Sequence, residues 1–342
     1  MNLLKEFDVR DKKVLVRCDF NVPLDKEGNV LDDFRIKKTI PTIQYLIENK
    51  AKVILMSHLD SPGGKIVEKL RMNKIYGKIK EYLEVPIYKT QDCLSKEAEV
   101  LVKKMKPGEI ILLENLRFHS GEEKNDTEFA KELAKLGEIY INDAFSVSHR
   151  YHASIVGIPK ILSSGIGLLM EKEISILSKI IENPERPLVV LLGGAKIETK
   201  VKLIDKISNI AEFVLTGGLL NKEIKEKNII LVNHQKIISA KEGLDMEKED
   251  VKKFKEKIYL AKTIFWNGPF GKIEDKKYVS STTEIAKAVS ESPAFSVIGG
   301  GETIEFVGKI GLIDKFSHVS TGGGAMMAFL SGEKLPGLEA LN

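Results

Sequence analysis

Two groups of residues in this chain have types and spacings suited to holding anions. In the first half, polar and basic residues end a series of apolar runs. Asp19 and Asn21 close KVLVRCDFN (13–21), His58 lies in KVILMSHL (52–59), and Arg117 and His119 end EIILLENLRFH (109–119). The run EIYINDAF (138–145) is followed by His149, Arg150 and His152, and Arg35 opens the helix expected after the first loop. Taken singly, each has a structural explanation: an aspartate caps turns, and a lone histidine commonly satisfies a local bond. Three arginines converging at one rim would make a fork-shaped receptor for carboxylate or phosphate, because guanidinium pairs with either in bidentate fashion.

The second half repeats a different pattern, a short apolar run stopped by glycines. The runs are LVVLLGGAK (188–196), FVLTGGLL (213–220), TIFWNGPFG (263–271), FSVIGGGET (295–303) and HVSTGGGA (318–325). Glycines at such ends let backbone N–H groups and helix N-termini come close to an anion. This half is expected to hold a polyphosphate.

The elements that position both groups follow from periodicity. Runs of four to six Val, Ile and Leu residues suit strands buried on both faces of a parallel sheet. Helical spacing recurs near 36–49, 95–104 and 127–136, so strand and helix alternate. That alternation predicts α/β architecture with right-handed βαβ units in doubly wound parallel sheets, one Rossmann-like domain per half. In such sheets ligands bind outside the carboxyl ends of the strands, where both groups of residues are expected. The expected boundaries are an acid-substrate domain at 1–164, an interdomain helix and linker at 165–187 and a nucleotide domain at 188–325. A tail at 326–342 completes the chain.

Composition narrows the class. The 342 residues suit about two domains. A hydrophobic share of 43% against 30% charged is a soluble globular balance. The 53 basic and 49 acidic residues are interspersed, giving a diffuse +4, so neither nucleic acid nor membrane is an expected partner. Two cysteines, Cys18 and Cys93, argue for a reducing compartment, and a cytoplasmic location is expected. No G-x-G-x-x-G follows the first strand, which sets aside a nicotinamide-dependent dehydrogenase.

The strings RCDFNVPL, RIKKTIPTI, LMSHL, LLENLRFHSGEE, INDAFSVSHRYHAS, ERPLVVLLGGAKIETK, IFWNGPFG, IGGGET and HVSTGGGA, in this order, resemble the phosphoglycerate kinase family over nearly the whole chain. The resemblance implies reversible phosphoryl transfer between 1,3-bisphosphoglycerate and ADP, giving 3-phosphoglycerate and ATP, in glycolysis or gluconeogenesis. It implies a phosphoglycerate pocket of Asp19, Phe20, Asn21, Arg35, His58, Ser61, Arg117 and Arg150. For the nucleotide it implies Gly194, Lys196, Lys200, Gly218, Asn267, Pro269, Glu274, Gly300, Gly301, Glu302 and Thr303. Glu302 would hold nucleotide-bound Mg²⁺, and Arg35, Lys196 and Gly323 would stabilise the phosphoryl group in flight. The family's tail returns to the first domain, its lobes close about a hinge, and a monomer is expected.

Three departures from the family pattern stand out. Ser61 occupies the place of an arginine that helps hold the substrate phosphate, with Asp60 beside it and Lys65 nearby. The segment between Gly218 and Gly243 is shorter than the family's, which leaves base preference open. Glu302 stands where the family commonly has aspartate. Two further readings therefore stay open: a paralogous kinase for another small carboxylic acid, and a nucleotide-binding relative without turnover.

Overall fold

The computed structural model describes residues 1–194, 197, 200–227, 229 and 234–342. The chain divides into two compact units, one formed by Met1–Lys172 with Lys334–Asn342 and the other by Glu173–Glu333. The chain passes from the first to the second within the helix Leu168–Glu182.

The first unit is built on seven strands: β1 (Asn2–Leu3), β2 (Lys13–Arg17), β3 (Lys52–Met56), β4 (Ile87–Lys89), β5 (Ile110–Leu112), β6 (Ile139–Asn142) and β7 (Ser163–Ile166). Their order is β1-β7-β6-β2-β3-β5-β4, and every pairing is parallel. The second unit has six: β8 (Leu188–Leu192), β9 (Phe213–Thr216), β10 (Ile237–Ser239), β11 (Thr263–Asn267), β12 (Phe295–Gly299) and β13 (His318–Val319). They run parallel in the order β10-β9-β8-β11-β12-β13. After β1, which sits at the far edge beside β7, the chain of each sheet fills one side and then returns to the other, so the order reverses between β2 and β6 and between β8 and β11. A crevice opens at such switch points, outside the carboxyl ends of the strands.

Burial on both faces explains the strand composition. Val14, Leu15, Val16, Val53, Ile54 and Leu55 are fully buried, as are Val189, Val190, Leu191, Ile264, Phe265 and Trp266. Helices flank the strands and begin with local caps: Ser95 Oγ accepts from Ala98 N (3.1 Å) and an Asp126 carboxylate oxygen from Phe129 N (2.8 Å). The expected helices near 36–49, 95–104 and 127–136 are present as Phe34–Glu48, Lys96–Lys104 and Thr127–Ala134.

Two expectations shift. Residues Gly165 and Ile166, read as the start of a helix, complete β7, and the helix starts at Leu168. Its N-terminus is capped from a distance, because Asp143 Oδ1 beyond β6 accepts from Leu169 N (3.0 Å) and Met170 N (3.1 Å). The runs at 13–21, 109–119 and 138–145 contain strands that end at Arg17, Leu112 and Asn142. Their remainders stay buried at Cys18, Phe20, Leu113, Leu116, Ala144 and Phe145, so an apolar run outlasts its strand wherever the chain packs down onto the sheet's rim.

The second switch point brings two backbone loops into close contact. Gly193 N donates to the Asn267 carbonyl (2.9 Å) and Gly194 N to the Pro269 carbonyl (2.7 Å). A β-carbon on Gly268, whose φ is +91°, would lie 2.2 Å from the Gly193 carbonyl oxygen. Gly268→Ala should therefore destabilise the second unit by about 2–4 kcal/mol through overpacking and left-handed strain. Gly301→Ala, with open space at its β-carbon position, should leave stability nearly unchanged. Urea denaturation of the two variants checks this; equal midpoints would contradict it.

Candidate functional site

The first unit gathers its predicted residues at the β2–β6 switch. Asp19, two residues past β2, accepts from Asn21 N (3.0 Å), from Arg35 Nη1 (2.5 Å) and from the Ser146 hydroxyl. Arg35 Nη1 also donates to the Asn21 carbonyl (3.1 Å), and Asn21 Oδ1 accepts from Asp60 N (2.8 Å). Phe20 N donates to Ser57 Oγ (2.9 Å), which sets the loop against the end of β3. Asp19, Asn21, Arg35, Phe20 and His58 thus form one connected rim.

Arg117 lies on a single 3₁₀ turn, Leu116–Phe118, started by Asn115, whose side-chain oxygen accepts from Arg117 N (3.1 Å). Its Nη1 donates to the Asp60 carbonyl (2.8 Å) and to Ser61 Oγ (3.2 Å). Nε and Nη2 are buried with no hydrogen-bond acceptor among the described residues, although Glu123 Oε1 stands 3.4 Å from Nε. Buried donors of this kind normally find a partner. The arrangement fits an anion that supplies the missing acceptors.

The electrostatics concentrate positive charge on arginine rather than histidine. Burial drives the His58 imidazole far below its ordinary range; Asp19 pulls the other way, and Arg17, Arg117 and Arg35 reinforce burial. His152 is lowered to about 3 by burial and then by Arg117, Arg17 and Arg150. His149 is lowered by burial and by Arg150. Burial pushes the Asp19 carboxyl up, but Arg35, His58 and the bonds from Ser146 and Asn21 outweigh it and hold it below the usual range. Arg150 is exposed, and its charge reaches Arg117, His149 and His152. Arg117 thus feels Arg150 on one side, and Arg117 and Arg35 both act on His58.

In the second unit the predicted residues sit on the loops that leave the strands' carboxyl ends. Asn267 Nδ2 donates to the Gly299 carbonyl (3.1 Å), and Thr303 Oγ1 accepts from Gly268 N (3.0 Å), joining the loops after β11 and β12. Gly300, at φ +95°, precedes the helix Gly301–Lys309, with Glu302 exposed in its first turn. The helices Gly218–Glu226 and Gly323–Leu330 start just past β9 and β13, and the buried Lys200 precedes Val201–Ile207. Helix N-termini after successive parallel strands present N–H groups on one edge. Pro269 lies in the loop after β11, and Glu274, further along it, is exposed. Lys196 lies outside the described residues.

Glu173 was not anticipated from the sequence. Fully buried, it accepts from Ser320 Oγ (2.8 Å), Thr321 N (2.6 Å) and Thr321 Oγ1 (2.8 Å), with His318 Nε2 3.1 Å away, and so fixes the loop leading to Gly322–Gly324. Arg17 and Glu122 were also missed. They form a buried pair at 3.7 Å beneath His58 and His152. The one clue to Arg17 was a charged residue closing the apolar run Val14–Val16 at the end of β2.

The family model described as phosphoglycerate kinase matches residues 4–229 and 220–333. The chain belongs to the phosphoglycerate kinase family. A phosphoglycerate kinase of Coprothermobacter proteolyticus is 41% identical over 384 residues, covering 99% of this chain and 98% of its own. One from Dictyoglomus turgidum is 39% identical, with 99% and 97% covered. The solved phosphoglycerate kinase of Pyrococcus horikoshii OT3 superposes with a TM-score of 0.87 at 32% identity, covering 100% of this chain and 98% of that one. That of Coxiella burnetii gives 0.81 at 30% identity, with 99% and 98% covered. The family is one of phosphotransferases, and the two matched blocks overlap at 220–229.

The imidazole shift gives a pH prediction. His152 has a folded value of about 3 against an ordinary 6.5, so the folded chain binds fewer protons than the unfolded one between those values. Its contribution to stability is complete above pH 6.5 and is lost as the pH falls toward 3. His152→Gln should flatten the fall of the urea midpoint between pH 6.5 and 4; a slope identical to the parent's would exclude His152 as its source.

Proposed function

We propose that this protein is a phosphoglycerate kinase, moving a phosphoryl group between the carboxylate of 3-phosphoglycerate and ADP or ATP. The observation that supports it best is Arg117, a guanidinium with two buried donor nitrogens that have no hydrogen-bond acceptor among the described residues, on the rim that also carries Arg35, Arg150 and Asp19. In this reading Arg117 and Arg150 take the substrate's phosphate. Arg35, aligned by Asp19, takes the carboxylate that reacts. Asn21 and His58 line the same rim, His58 as a neutral hydrogen-bonding ring.

The nucleotide arrives as its Mg²⁺ complex, and a hard oxygen donor such as the exposed Glu302 carboxylate suits an ion that keeps several waters. Bound there, the ion would offset phosphate charge. Lys196, Lys200 and the Gly322–Gly324 amides would face the remaining phosphate oxygens, with Asn267, Pro269 and Glu274 nearer the nucleoside. The carboxylate oxygen forms the new P–O bond as the bond to the ADP oxygen breaks, so no enzyme-bound intermediate is needed. Catalysis is then positioning and charge stabilisation. Domain closure would exclude water, which would otherwise compete as acceptor. A cytoplasmic, monomeric enzyme is the form this reading takes.

A second reading, another small acid as substrate, is favoured by Ser61. Where an arginine could add a second fork, the serine hydroxyl instead accepts from Arg117 Nη1. A coupled assay with ATP and 3-phosphoglycerate, then with other phosphorylated and plain carboxylic acids, separates the two. Turnover is expected with 3-phosphoglycerate; turnover confined to another acid would replace the first reading by the second. Lys196→Ala should cut kcat on the order of 10²–10³-fold with the fold intact, the usual cost of one charge-stabilising donor. Ser61→Arg should lower KM for 3-phosphoglycerate, and an unchanged KM would show that Arg117 and Arg150 suffice.

A further inference from the structure

On the first unit, outside the arginine rim, the segment after β4 and the 3₁₀ turn after β5 bring together three different metal-ligand types. Asp92, Cys93 and His119 place one ligand atom each within 4.8 Å of the others. His119 Nε2 is 2.7 Å from Asp92 Oδ1, and Cys93 is wholly buried beside them. The two surface members are open to solvent, with side chains 41% (Asp92) and 33% (His119) exposed, which provides an access route for an ion.

We propose that Asp92, Cys93 and His119 form a binding site for one thiophilic divalent cation of the Zn²⁺ class. The donor set selects the ion: thiolate and imidazole suit Zn²⁺ and Co²⁺, whereas Mg²⁺ and Ca²⁺ prefer oxygen alone. Tetrahedral zinc, with bonds of about 2.0–2.3 Å, needs ligand atoms roughly 3.3–3.7 Å apart. The trio therefore closes around an ion if Asp92 and His119 separate by up to about 1 Å and Cys93, already within 4.8 Å of both, moves by no more than about that. Three protein ligands leave a fourth position for water.

Its surroundings hold the ligands in place. Asp92 Oδ1 accepts from Leu94 N (3.0 Å), and the His119 ring lies against Phe129 with centroids 5.4 Å apart. His119 N donates to the Leu116 carbonyl (3.1 Å), so the ligand rides on the turn that presents Arg117. On binding, the Cys93 thiol gives its proton to solvent and forms a sulfur–metal bond. His119 takes the Nδ1–H tautomer so that the Nε2 lone pair reaches the ion. No electron transfer is involved. The site does not depend on the phosphotransferase reading, since none of its three residues is among those assigned to the phosphoglycerate or the nucleotide.

The test uses the full chain, cleared of metal by chelator and titrated with Co²⁺. One ion per chain is expected, with a thiolate-to-cobalt charge-transfer absorption that Zn²⁺ displaces and excess Mg²⁺ does not. His119→Gln, at a partly exposed position, should weaken binding beyond the ~10–100-fold that loss of an outer-shell partner costs. Cys93→Ser should abolish the absorption, while Cys18→Ser should keep it. No charge-transfer band in natively folded protein would overturn the proposal. So would a band that survives Cys93→Ser, or unchanged affinity in His119→Gln.

Discussion

The first unit is organised around one buried charge. Arg17, at the end of β2, is fully buried; its Nε donates to Ser154 Oγ (2.7 Å) and its Nη1 to the Cys18 carbonyl (2.5 Å). Its Nη2 lies 3.3 Å from His58 Nδ1 and 3.7 Å from Glu122 Oε1. Glu122 in turn accepts from Ser154 N (2.9 Å) and Oγ (2.6 Å). One guanidinium therefore ties the central strand to the loop after β3, to the turn that follows Arg117 and to the segment after His152. A buried pair of this kind does not earn its place by net stability, because desolvation offsets its attraction. Its effect is positional and electrostatic: it fixes where the rim's side chains stand, and its charge adds to the burial that keeps His58 and His152 neutral.

In the proposed reading the two units would solve the same problem, an anion at a sheet's carboxyl edge, by opposite means. The first uses side chains, whose charges must be held apart by Asp19, Glu122 and backbone carbonyls until an anion arrives. The second uses backbone N–H groups at helix starts, which need neither a counter-charge nor a rotamer but do need close approach. That need puts glycine at Gly193 and Gly268, where any β-carbon would strike the neighbouring loop's carbonyl. Side-chain recognition reads a particular acid. Backbone recognition reads phosphate in general, and a nucleotide is recognised at its phosphates first.

The parallel sheets were legible because strands buried on both faces write continuous Val, Ile and Leu runs. The short strands β1, β4, β7 and β10 were not, since two to four residues carry too little periodicity to distinguish them from loops. Most of the rim was legible through charged residues at run ends. What escaped were groups that act through other residues: Arg17, Glu122, Ser146 and Glu173. Each lies far in sequence from what it holds; Glu173, for example, is 147 residues from Ser320. Local patterns cannot register such a pairing. Asp92 and Cys93 escaped for the same reason, because only the fold brings His119 to them.

The departures from the family pattern expected from the sequence would fall where the fold tolerates them. The short segment after Gly218 feeds β10, the outermost strand of its sheet, which pairs with β9 alone. Shortening a connection at a sheet's edge removes no partner from any other strand, so the switch point between β8 and β11 is left as it was. Ser61 is a different case, because it touches the rim itself. An arginine there would place a further cation beside Arg117, whose charge burial and Arg17 already disfavour. The serine relieves that repulsion and accepts one of Arg117's hydrogen bonds. It leaves Nε and Nη2 without a hydrogen-bond acceptor among the described residues, with Glu123 Oε1 3.4 Å from Nε, and two adjacent donors on one planar guanidinium are what bidentate contact with a phosphate requires. A serine at position 61 thus keeps a further charge off the rim while Arg117 still offers its own fork.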